Sequence, residues 1–423
     1  MPIVWASLKK SAKPPMRKAI ILLFLLLPLT LTAENKIYDP QIKSLQAVVN
    51  QDWLSPAIMR LYGNDHLHIG FDELSHDYHR YTYRLVHCEA DWNDSEELFE
   101  ADWLEGFNNI VIEDFERSIN TTVPYTHYQL TIPNERCRLK LSGNYRLTII
   151  DDDTSEVAAS VEFMITEQAM NLSMAISTNT DIDTNLCHQQ VEFGLKYGNL
   201  QVTDPNEQLQ TVVMQNCRED NWQWNVRPSA VSQNGLEWKH RQELIFDAGN
   251  EYRKFEVLDP SHPTMGIDRI MWDGENYQAF PFISEPRPNY LYDEDANGSF
   301  YIRNSDNREN DIISDYVWVN YRLKSPVIPS GQIMIDGRWT TEVPETYLME
   351  YDEEEHLYTA SILQKQGYYS YQYLWIDDDG NSHPVPSEGN FYQTENRYQI
   401  LVYYKGTGMR TWRLVAFNQL TIH

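Results

Sequence analysis

An imidazole and a thiol stand side by side at His87-Cys88, and this pair is the first candidate for chemistry in the chain. A histidine close to a cysteine can generate a thiolate nucleophile. Residues 81–85, shortly before the pair, alternate between ring or aliphatic side chains and polar ones, which predicts a β-strand. Adjacent residues of a strand point to opposite faces of the sheet, so His87 and Cys88 cannot activate each other. We therefore expect both residues to have structural roles.

Four carboxylates in the same region lie close in sequence to aromatic residues. Two carboxylates beside rings that stack on a sugar are the equipment of a glycosidase. The chain has 62 Asp and Glu residues, however, so some acids must fall near an aromatic residue by chance. We expect no catalytic role for them. The carboxylates are Glu89, Asp91, Glu105 and Asp114, and the aromatic residues are Trp92, Trp103 and Phe107.

Oxygen-bearing side chains at Asp293, Asp295 and Asn297, followed by Gly298, match positions 1, 3, 5 and 6 of a calcium-binding loop. Position 12 of such a loop carries a bidentate Glu, whereas this chain has Asn304 there. The sequence around the loop has no helical pattern. The favoured interpretation is an acidic hairpin turn, and calcium binding is the alternative.

The sequence lacks the motifs that mark common enzymes. It contains no Gly-x-Ser-x-Gly elbow, no His-Glu-x-x-His, no Cys-x-x-Cys and no phosphate-binding loop. The sequence therefore predicts a protein without catalytic, cofactor-binding or metal-binding residues.

The four cysteines are Cys88, Cys137, Cys187 and Cys217. An exported chain can oxidise them, and the pairs Cys88 with Cys137 and Cys187 with Cys217 would each lie within one candidate domain. Buried free thiols are the alternative, because small cores accommodate a reduced cysteine readily. The sequence leaves the two states open.

Short apolar runs separated by Asn, Asp, Gly, Ser and Pro indicate many short antiparallel strands. Abundant Tyr, Trp, Val, Ile and Thr also favour strands over helices. The sequence predicts an all-β protein of immunoglobulin-like or early-set β-sandwich domains in tandem. The predicted units are residues 34–166, residues 167–285, and an early-set-like sandwich at residues 316–423. An acidic and polar segment, residues 286–315, connects the last two.

The first 33 residues have the order of a secretory signal peptide. A basic head precedes the apolar residues 19–31, and small residues at Thr32-Ala33 follow. The apolar run is shorter than the roughly 20 residues that a membrane-spanning helix needs. Translation could start at Met1 or at Met16, which opens a shorter basic region. We expect the mature protein to begin near Glu34.

Charge limits the kinds of partner. Residues 1–33 hold five of the 34 Lys and Arg residues and none of the 62 Asp and Glu residues, so the exported chain has a net charge near −33. Nucleic acid and anionic membrane surfaces both require clustered cations. We therefore expect no nucleic acid, no direct lipid binding and no small-molecule ligand. A protein partner should be neutral or basic where it makes contact.

An ordered set of motifs runs along most of the exported chain. Those of the first predicted unit are His87-Cys88-Glu89-Ala90-Asp91-Trp92, Glu105-Gly106-Phe107, Asn120-Thr121, Tyr125-Thr126-His127-Tyr128, Pro133-Asn134-Glu135 and Ser142-Gly143-Asn144-Tyr145. Those further on are Phe246-Asp247-Ala248-Gly249-Asn250-Glu251-Tyr252-Arg253, residues 293–304, Lys365-Gln366-Gly367-Tyr368-Tyr369-Ser370-Tyr371 and Glu395-Asn396-Arg397-Tyr398. This set resembles the type IX secretion system plug proteins of Bacteroidota.

The resemblance implies a periplasmic protein without enzymatic activity that associates with the outer membrane. In that family the protein occludes the periplasmic opening of the outer-membrane translocon barrel when no cargo shuttle is engaged. The resemblance supplies no residues that contact the barrel. A different reading is a carbohydrate-binding or carbohydrate-processing protein of the cell envelope, in which Trp222, Trp224 and Trp238 would stack on sugar rings instead of packing in a core.

Overall fold

The computed structural model describes residues 35–422, and these residues are almost entirely β-structure. Strands make up 48% of the structure and helices 5%, which confirms the predicted all-β fold class. The predicted signal peptide, residues 1–33, lies outside the described residues. No helix in residues 35–422 combines the length and the apolar character needed to span a bilayer. The described residues, 35–422, all belong to one compact unit.

The first part of the fold is a two-layered sandwich, which we call the first sandwich (residues 36–166). One sheet has the order β1-β12-β11-β5-β7 with β3 beside β12, the other has the order β2-β4-β9-β8, and β6 and β10 form a separate two-stranded antiparallel sheet. A helical turn, Glu100–Trp103, precedes β6. The strands are β1 (Lys36–Ile37), β2 (Ile42–Val49), β3 (Ile58–Arg60), β4 (Leu67–Glu73), β5 (Tyr81–Cys88), β6 (Leu104–Gly106), β7 (Ile110–Val111), β8 (Asp114–Arg117), β9 (Thr126–Ile132), β10 (Cys137–Leu139), β11 (Gly143–Asp151) and β12 (Val157–Thr166).

The second sandwich combines residues 171–247 with residues 397–421. Its sheets have the orders β13-β14-β18-β17, with β19 beside β14, and β16-β15-β30-β31. Short helical segments lie at Pro205–Gln208 and Gln242–Leu244. The strands are β13 (Asn171–Ser177), β14 (His188–Lys196), β15 (Leu209–Gln215), β16 (Gln223–Trp224), β17 (Ala230–Ser232), β18 (Gly235–Trp238), β19 (Ile245–Asp247), β30 (Arg397–Tyr404) and β31 (Arg413–Thr421).

The third sandwich (residues 253–384) consists of a ten-stranded sheet that folds over its own core. Its path is β20-β28-β25-β26-β27-β24-β22-β21, and β23 and β29 also pair with β28. Helical segments lie at Asn310–Ile313 and Pro344–Tyr347. The strands are β20 (Arg253–Val257), β21 (Ile267–Trp272), β22 (Tyr277–Pro281), β23 (Phe300–Ile302), β24 (Tyr316–Leu323), β25 (Gln332–Asp336), β26 (Leu348–Asp352), β27 (Leu357–Lys365), β28 (Gly367–Ile376) and β29 (Ser382–Pro384).

Strand pairing joins residues that the sequence analysis assigns to different units. β20 pairs with β28, and β22 pairs with β24, so residues 253–281 hydrogen-bond to strands that follow residue 315. The last two strands follow the third sandwich in sequence but belong to the second sandwich, because β30 pairs with β15 along seven residues. The second and third sandwiches are therefore interleaved in sequence, and only the first is continuous.

Tyrosine fills much of the core, because its ring packs and its hydroxyl can bond to the backbone. In the first sandwich Phe71 stacks on Tyr128 with ring centroids 5.2 Å apart, and Tyr81 meets Tyr128 edge to face at 5.0 Å. The Tyr128 hydroxyl donates to the carbonyl of His79 at 2.9 Å and accepts from the amide of the same residue. A buried tyrosine such as Tyr128 thus adds a large ring to the core while its hydroxyl is paired with the backbone.

Candidate functional site at the seams between the sandwiches

His87 and Cys88 are both buried, and neither is prepared for catalysis. Burial lowers the pKa of His87 to about 4 and raises that of Cys88 to about 12, so at neutral pH the imidazole is uncharged and the thiol is protonated. His87 Nε2 donates to the carbonyl of Ser142 at 3.3 Å, and Nδ1 lies 2.8 Å from Ser95 Oγ. The pair therefore serves the structure, as the strand pattern predicts.

The four carboxylates near aromatic residues have separate surroundings. Glu89 accepts the amide of Trp412 at 3.1 Å, and Asp91 accepts the amide and the side chain of Asn93 in a turn. Glu105 lies exposed on β6 and Asp114 lies exposed on β8, in different sheets. None of the four lines the cavities at the junctions of the sandwiches.

The three tryptophans proposed to stack on sugars divide between core and surface. Trp238 is buried, stacks on Phe193 at 4.1 Å and donates to the carbonyl of Val226 at 2.6 Å. Trp222 and Trp224 lie 5.8 Å apart at a tilt of 57°, and Trp224 is partly exposed. Trp238 therefore belongs to the core, and the other two do not form a flat sugar platform.

Protein donors occupy both carboxylates of the calcium-like loop, whereas Asn297 Oδ1 is buried without a hydrogen-bond partner. Asp293 pairs with the ammonium of Lys254 at 2.6 Å. Asp295 accepts the amide of Asn297 at 2.7 Å and that of Tyr252, and burial raises its pKa to about 7. A carboxyl that is half protonated near neutrality is a poor calcium ligand. These contacts favour a structural turn over a calcium site. The turn is not part of a hairpin, because it leads into β23, which pairs with β28 and not with the preceding β22.

All four cysteines are free thiols, and neither of the two candidate disulfides is formed. Cys88 and Cys137 are fully buried, whereas Cys187 and Cys217 are partly exposed. Burial raises the pKa of Cys137 to about 12, which fits an inert core residue. The buried-thiol alternative thus describes the first pair of cysteines.

The most unusual polar group in residues 35–422 is a buried ion pair at the seam between the first and third sandwiches. Asp72 of β4 has no exposed surface, and Lys365 of β27 is 2% exposed. Asp72 Oδ2 accepts from Lys365 Nζ and from the Tyr316 hydroxyl, both at 2.6 Å. Asp72 Oδ1 lies 2.7 Å from Nδ1 of His127. Burial alone would raise the pKa of Asp72, but Lys365 and His127 hold it below its usual value.

A loop of the first sandwich docks around this ion pair. Lys365 Nζ lies 4.1 Å from the centroid of the Tyr125 ring and also donates to the carbonyl of Asp311 at 2.6 Å. The Tyr125 hydroxyl donates to the carbonyl of Ser314 at 2.7 Å. Asp315 accepts the backbone amides of Thr122 and Val123. Because these partners come from both sandwiches, the ion pair is satisfied only while the two are docked.

A second seam joins the first sandwich to the C-terminal strands of the second. The Tyr403 hydroxyl donates to Asn144 Oδ1 at 2.9 Å, and Ser95 Oγ lies 3.2 Å from Thr411 Oγ1. Gly143 has φ +138°, and a Cβ there would lie 2.7 Å from His87 Nε2. Glycine at this position allows the backbone to approach the imidazole.

A third seam joins the second and third sandwiches through the segment that leads to β30. Glu388 accepts from Arg253 at 2.8 and 3.0 Å and also from Arg287. Asn396 donates to the carbonyl of Ala248 at 2.7 Å. Two guanidinium groups on one buried carboxylate form a rigid contact with well-defined geometry.

A small cavity of about 150 Å³ lies where the three sandwiches meet. Arg218 projects into it, held by Asp220 at 3.0 Å, and Asp336 lies beside it with a pKa raised by burial. The volume is below the roughly 300 Å³ at which small-molecule sites begin. A neighbouring cavity of about 300 Å³ between the second and third sandwiches is lined by the same Arg218 and by Glu388.

Most of the motifs singled out in the sequence contribute a side chain to one of these seams. His127 and Lys365 meet at the first seam, His87 and Asn144 at the second, and Arg253 and Asn396 at the third. Sequence reasoning missed Asp72, which reads as the first turn residue after an apolar run but lies inside β4 and is fully buried. The one sequence feature that indicates burial of Asp72 is its position directly after an apolar run. Chemically, the contacts described at the seams hold the sandwiches together.

Two further features face solvent. Tyr62, Phe99 and Phe107 are exposed around the two-stranded β6–β10 sheet. Residue 106 is glycine because its φ is +118° and a Cβ there would lie 2.0 Å from the Arg136 carbonyl oxygen. Within residues 35–422, one group of side chains has the types and spacing to hold a metal ion: Asp183, Cys187 and His188.

Comparison with known proteins places these observations in a family. The model of the "Type 9 secretion system plug protein 1st domain" matches residues 42–167, which cover almost all of the first sandwich. None of the curated proteins matches the chain significantly.

Two solved structures show similarity of very different quality. The crystal structure of a hypothetical protein from Parabacteroides merdae is 35% identical in sequence, with a TM-score of 0.89, and the match covers 92% of this chain and 100% of that one. The C-terminal domain of the antigen I/II-family protein AspA of Streptococcus pyogenes is 9% identical with a TM-score of 0.16, over 90% of this chain and 99% of that one. The second value is too low to relate the folds. The first similarity extends over all three sandwiches.

Proposed function

The chain belongs to the type IX secretion system plug protein family, and from this membership we propose that it closes the periplasmic opening of the outer-membrane translocon barrel of that system. It would do so when no cargo shuttle is engaged. The observation that carries the proposal is the family match over residues 42–167, which confirms the family resemblance of the sequence motifs.

The architecture supports a steric mechanism. A body that blocks a wide opening must keep its shape under load, and flexibly linked domains would not. Here buried polar contacts join each sandwich to the other two, including an ion pair without access to water. Separating the sandwiches would expose these charges to solvent or leave them buried without a partner, and both outcomes cost free energy. We therefore expect the three sandwiches to move as one body.

A plug must also be released, so we propose an interface that is polar and sensitive to salt. The exported chain has a net charge near −33, which favours a neutral or basic rim on the barrel. Charged groups across such an interface mainly accelerate encounter, so raising the salt concentration should slow association before it speeds dissociation. Binding kinetics of the purified chain on immobilised barrel at several salt concentrations measure this directly.

We propose that the protein acts in the periplasm and has no enzymatic activity. The support is the family membership. The hydroxyl and imidazole that lie together at the second seam, Ser95 Oγ 2.8 Å from His87 Nδ1, are both buried away from solvent. Purified protein should turn over no ester, peptide or glycoside reporter. Turnover that disappears in Glu89→Gln or Asp91→Asn would contradict the proposal.

The decisive experiment combines copurification with permeability. An affinity-tagged chain should copurify with the translocon barrel from detergent-solubilised native outer membranes. Deleting its gene should leave the barrel intact but open, so that large antibiotics normally excluded by the outer membrane enter the cell.

A matched control separates plugging from carbohydrate processing. A Glu105→Gln/Asp114→Asn variant removes two of the acids a glycosidase would use and leaves the seams intact, so it should restore the permeability barrier fully. If the barrel never carries the protein and the deletion leaves permeability unchanged, the plug proposal is wrong. Binding to a glycan array would then favour the carbohydrate-binding alternative.

A further inference from the structure

A cluster of three different ligand types lies at one end of the second sandwich. Asp183 belongs to the loop between β13 and β14, Cys187 ends that loop, and His188 is the first residue of β14. Asp183 Oδ2 lies 2.6 Å from His188 Nδ1 and 3.6 Å from Cys187 Sγ, and Cys187 Sγ lies 3.3 Å from His188 Nδ1. We propose that these three side chains bind a divalent transition-metal ion of the zinc type.

The distances suit such an ion. Zinc bound tetrahedrally at about 2.0 Å from oxygen and nitrogen and about 2.3 Å from sulfur separates its ligand atoms by about 3.3 to 3.6 Å. The two distances to Cys187 Sγ already lie in this range. The shorter distance between Asp183 and His188 belongs to a hydrogen bond whose proton the ion would replace. The ligands therefore need to separate at one edge only, by less than 1 Å.

Neighbouring groups hold the ligands in place. Thr180 Oγ1 accepts the amide of Asp183 at 3.0 Å, and the carbonyl of Cys187 accepts the amide of Ala248 at 2.9 Å. Behind the imidazole, Asp247 Oδ1 lies 3.5 Å from His188 Nε2, and Asn390 donates to the same oxygen at 2.7 Å. A carboxylate at the second nitrogen of a metal-binding histidine fixes its orientation and raises its basicity.

The ligand types select the class of ion. Thiolate and imidazole together favour zinc and its neighbours, whereas calcium and magnesium require mostly oxygen ligands. The His188 side chain is 25% exposed, so an ion can enter from solvent and keep a water molecule as its fourth ligand. Binding displaces the thiol proton of Cys187, and the Nδ1 proton of His188 is replaced by one on Nε2, facing Asp247. Without an ion, burial and the Asp183 carboxylate raise the pKa of Cys187, so the thiol proton must leave on binding.

Cobalt(II) is the probe for the test, because a cobalt–thiolate bond gives a charge-transfer band in the near ultraviolet. Reduced, chelator-treated protein should bind one cobalt ion with this band, and zinc should displace it. Cys187→Ser should abolish the band and weaken zinc binding at least about tenfold, and Asp183→Asn should weaken zinc binding by a similar factor while keeping the band. Circular dichroism confirms that each variant is folded.

Matched controls lie close by. Cys217→Ser removes the other partly exposed thiol, and Asp181→Asn removes a carboxylate of the same loop that contacts Gln190 and His240 instead. Both should bind cobalt and zinc as the unmodified protein does. The proposal is overturned if the unmodified protein shows no band, if the band survives in Cys187→Ser, or if Asp183→Asn leaves zinc affinity unchanged.

Discussion

Replacing Lys365 by Met tests whether the seam between the first and third sandwiches depends on its buried ion pair. Met keeps an unbranched side chain of similar length and removes the charge. It also removes the donor to the Asp311 carbonyl and the cation over the Tyr125 ring. Asp72 remains without access to solvent, so its negative charge loses its main partner.

Breaking a buried ion pair by removing one partner costs about 3–5 kcal/mol of the free energy of unfolding. The lower half of this range is expected for Lys365→Met, because His127 at 2.7 Å and Tyr316 at 2.6 Å still donate to Asp72. The double variant Asp72→Asn/Lys365→Met leaves no unpaired charge. It should therefore recover part of the lost free energy and be more stable than Lys365→Met alone.

The shift in melting temperature reports how much of the chain unfolds together. With an unfolding entropy of about 2.1 cal/mol/K per residue, a loss of about 3 kcal/mol lowers the melting temperature by about 4 °C if roughly 390 residues unfold as one unit. If the first sandwich, about 130 residues, unfolds alone, the same loss lowers its transition by about 11 °C. Calorimetry distinguishes one transition from two.

Lys324 provides the control, because its ion pair with Glu285 is at 3.0 Å but both side chains are more than half exposed. Exposed pairs contribute at most about 1 kcal/mol, so Lys324→Met should barely change the melting temperature. If Lys365→Met is no more destabilising than Lys324→Met, or if the double variant is less stable than the single one, the argument for a rigid charged seam fails.

Three further outcomes follow from individual residues. Burial raises the pKa of Asp295 to about 7, so the carboxyl of the folded protein keeps a proton that the unfolded chain releases above about pH 4. The contribution of this proton to stability is lost as the pH rises from about 4 to about 7. Asp295→Asn should flatten the resulting fall in the urea midpoint over this pH range. Gly143→Ala should cost about 2 kcal/mol more than Gly380→Ala, because both have positive φ but only the former brings a Cβ against His87, as urea unfolding measures. N-terminal sequencing of envelope protein should begin near Glu34.

Local strand patterns were predictable because one face of each strand is buried. The sequence pattern predicts strands at residues 316–323, 190–195 and 252–257. The first matches β24 (Tyr316–Leu323) residue for residue, and β14 (His188–Lys196) and β20 (Arg253–Val257) differ from the other two by no more than two residues at either end. Pairing partners were not predictable. Periodicity shows which face of a strand is buried but says nothing of which strand lies beside it, so the pairing of β30 with β15 has no local signal.

The seams escaped prediction for a related reason. Asp72 and Lys365 are charged, and charged residues are almost always exposed unless they are paired. Their pairing joins positions 293 residues apart, which no window along the sequence can detect. The motif residues were recognisable as unusual, yet their role as contacts between sandwiches became visible only once both sides of each seam were placed.

The interleaved topology leads to a last prediction, on a chain that stops at Asn396 and so lacks β30 and β31. In the structure these strands complete a sheet with β15, and buried residues such as Ile400 and Val402 pack against Val213 and Phe193 in the second sandwich. If residues 316–423 formed a self-contained unit, the deletion would instead damage the third sandwich. Hydrogen exchange should therefore show loss of protection in β14 and β18 while β24 and β27 stay protected. Faster exchange in β24 and β27 than in β14 and β18 would contradict the interleaved arrangement.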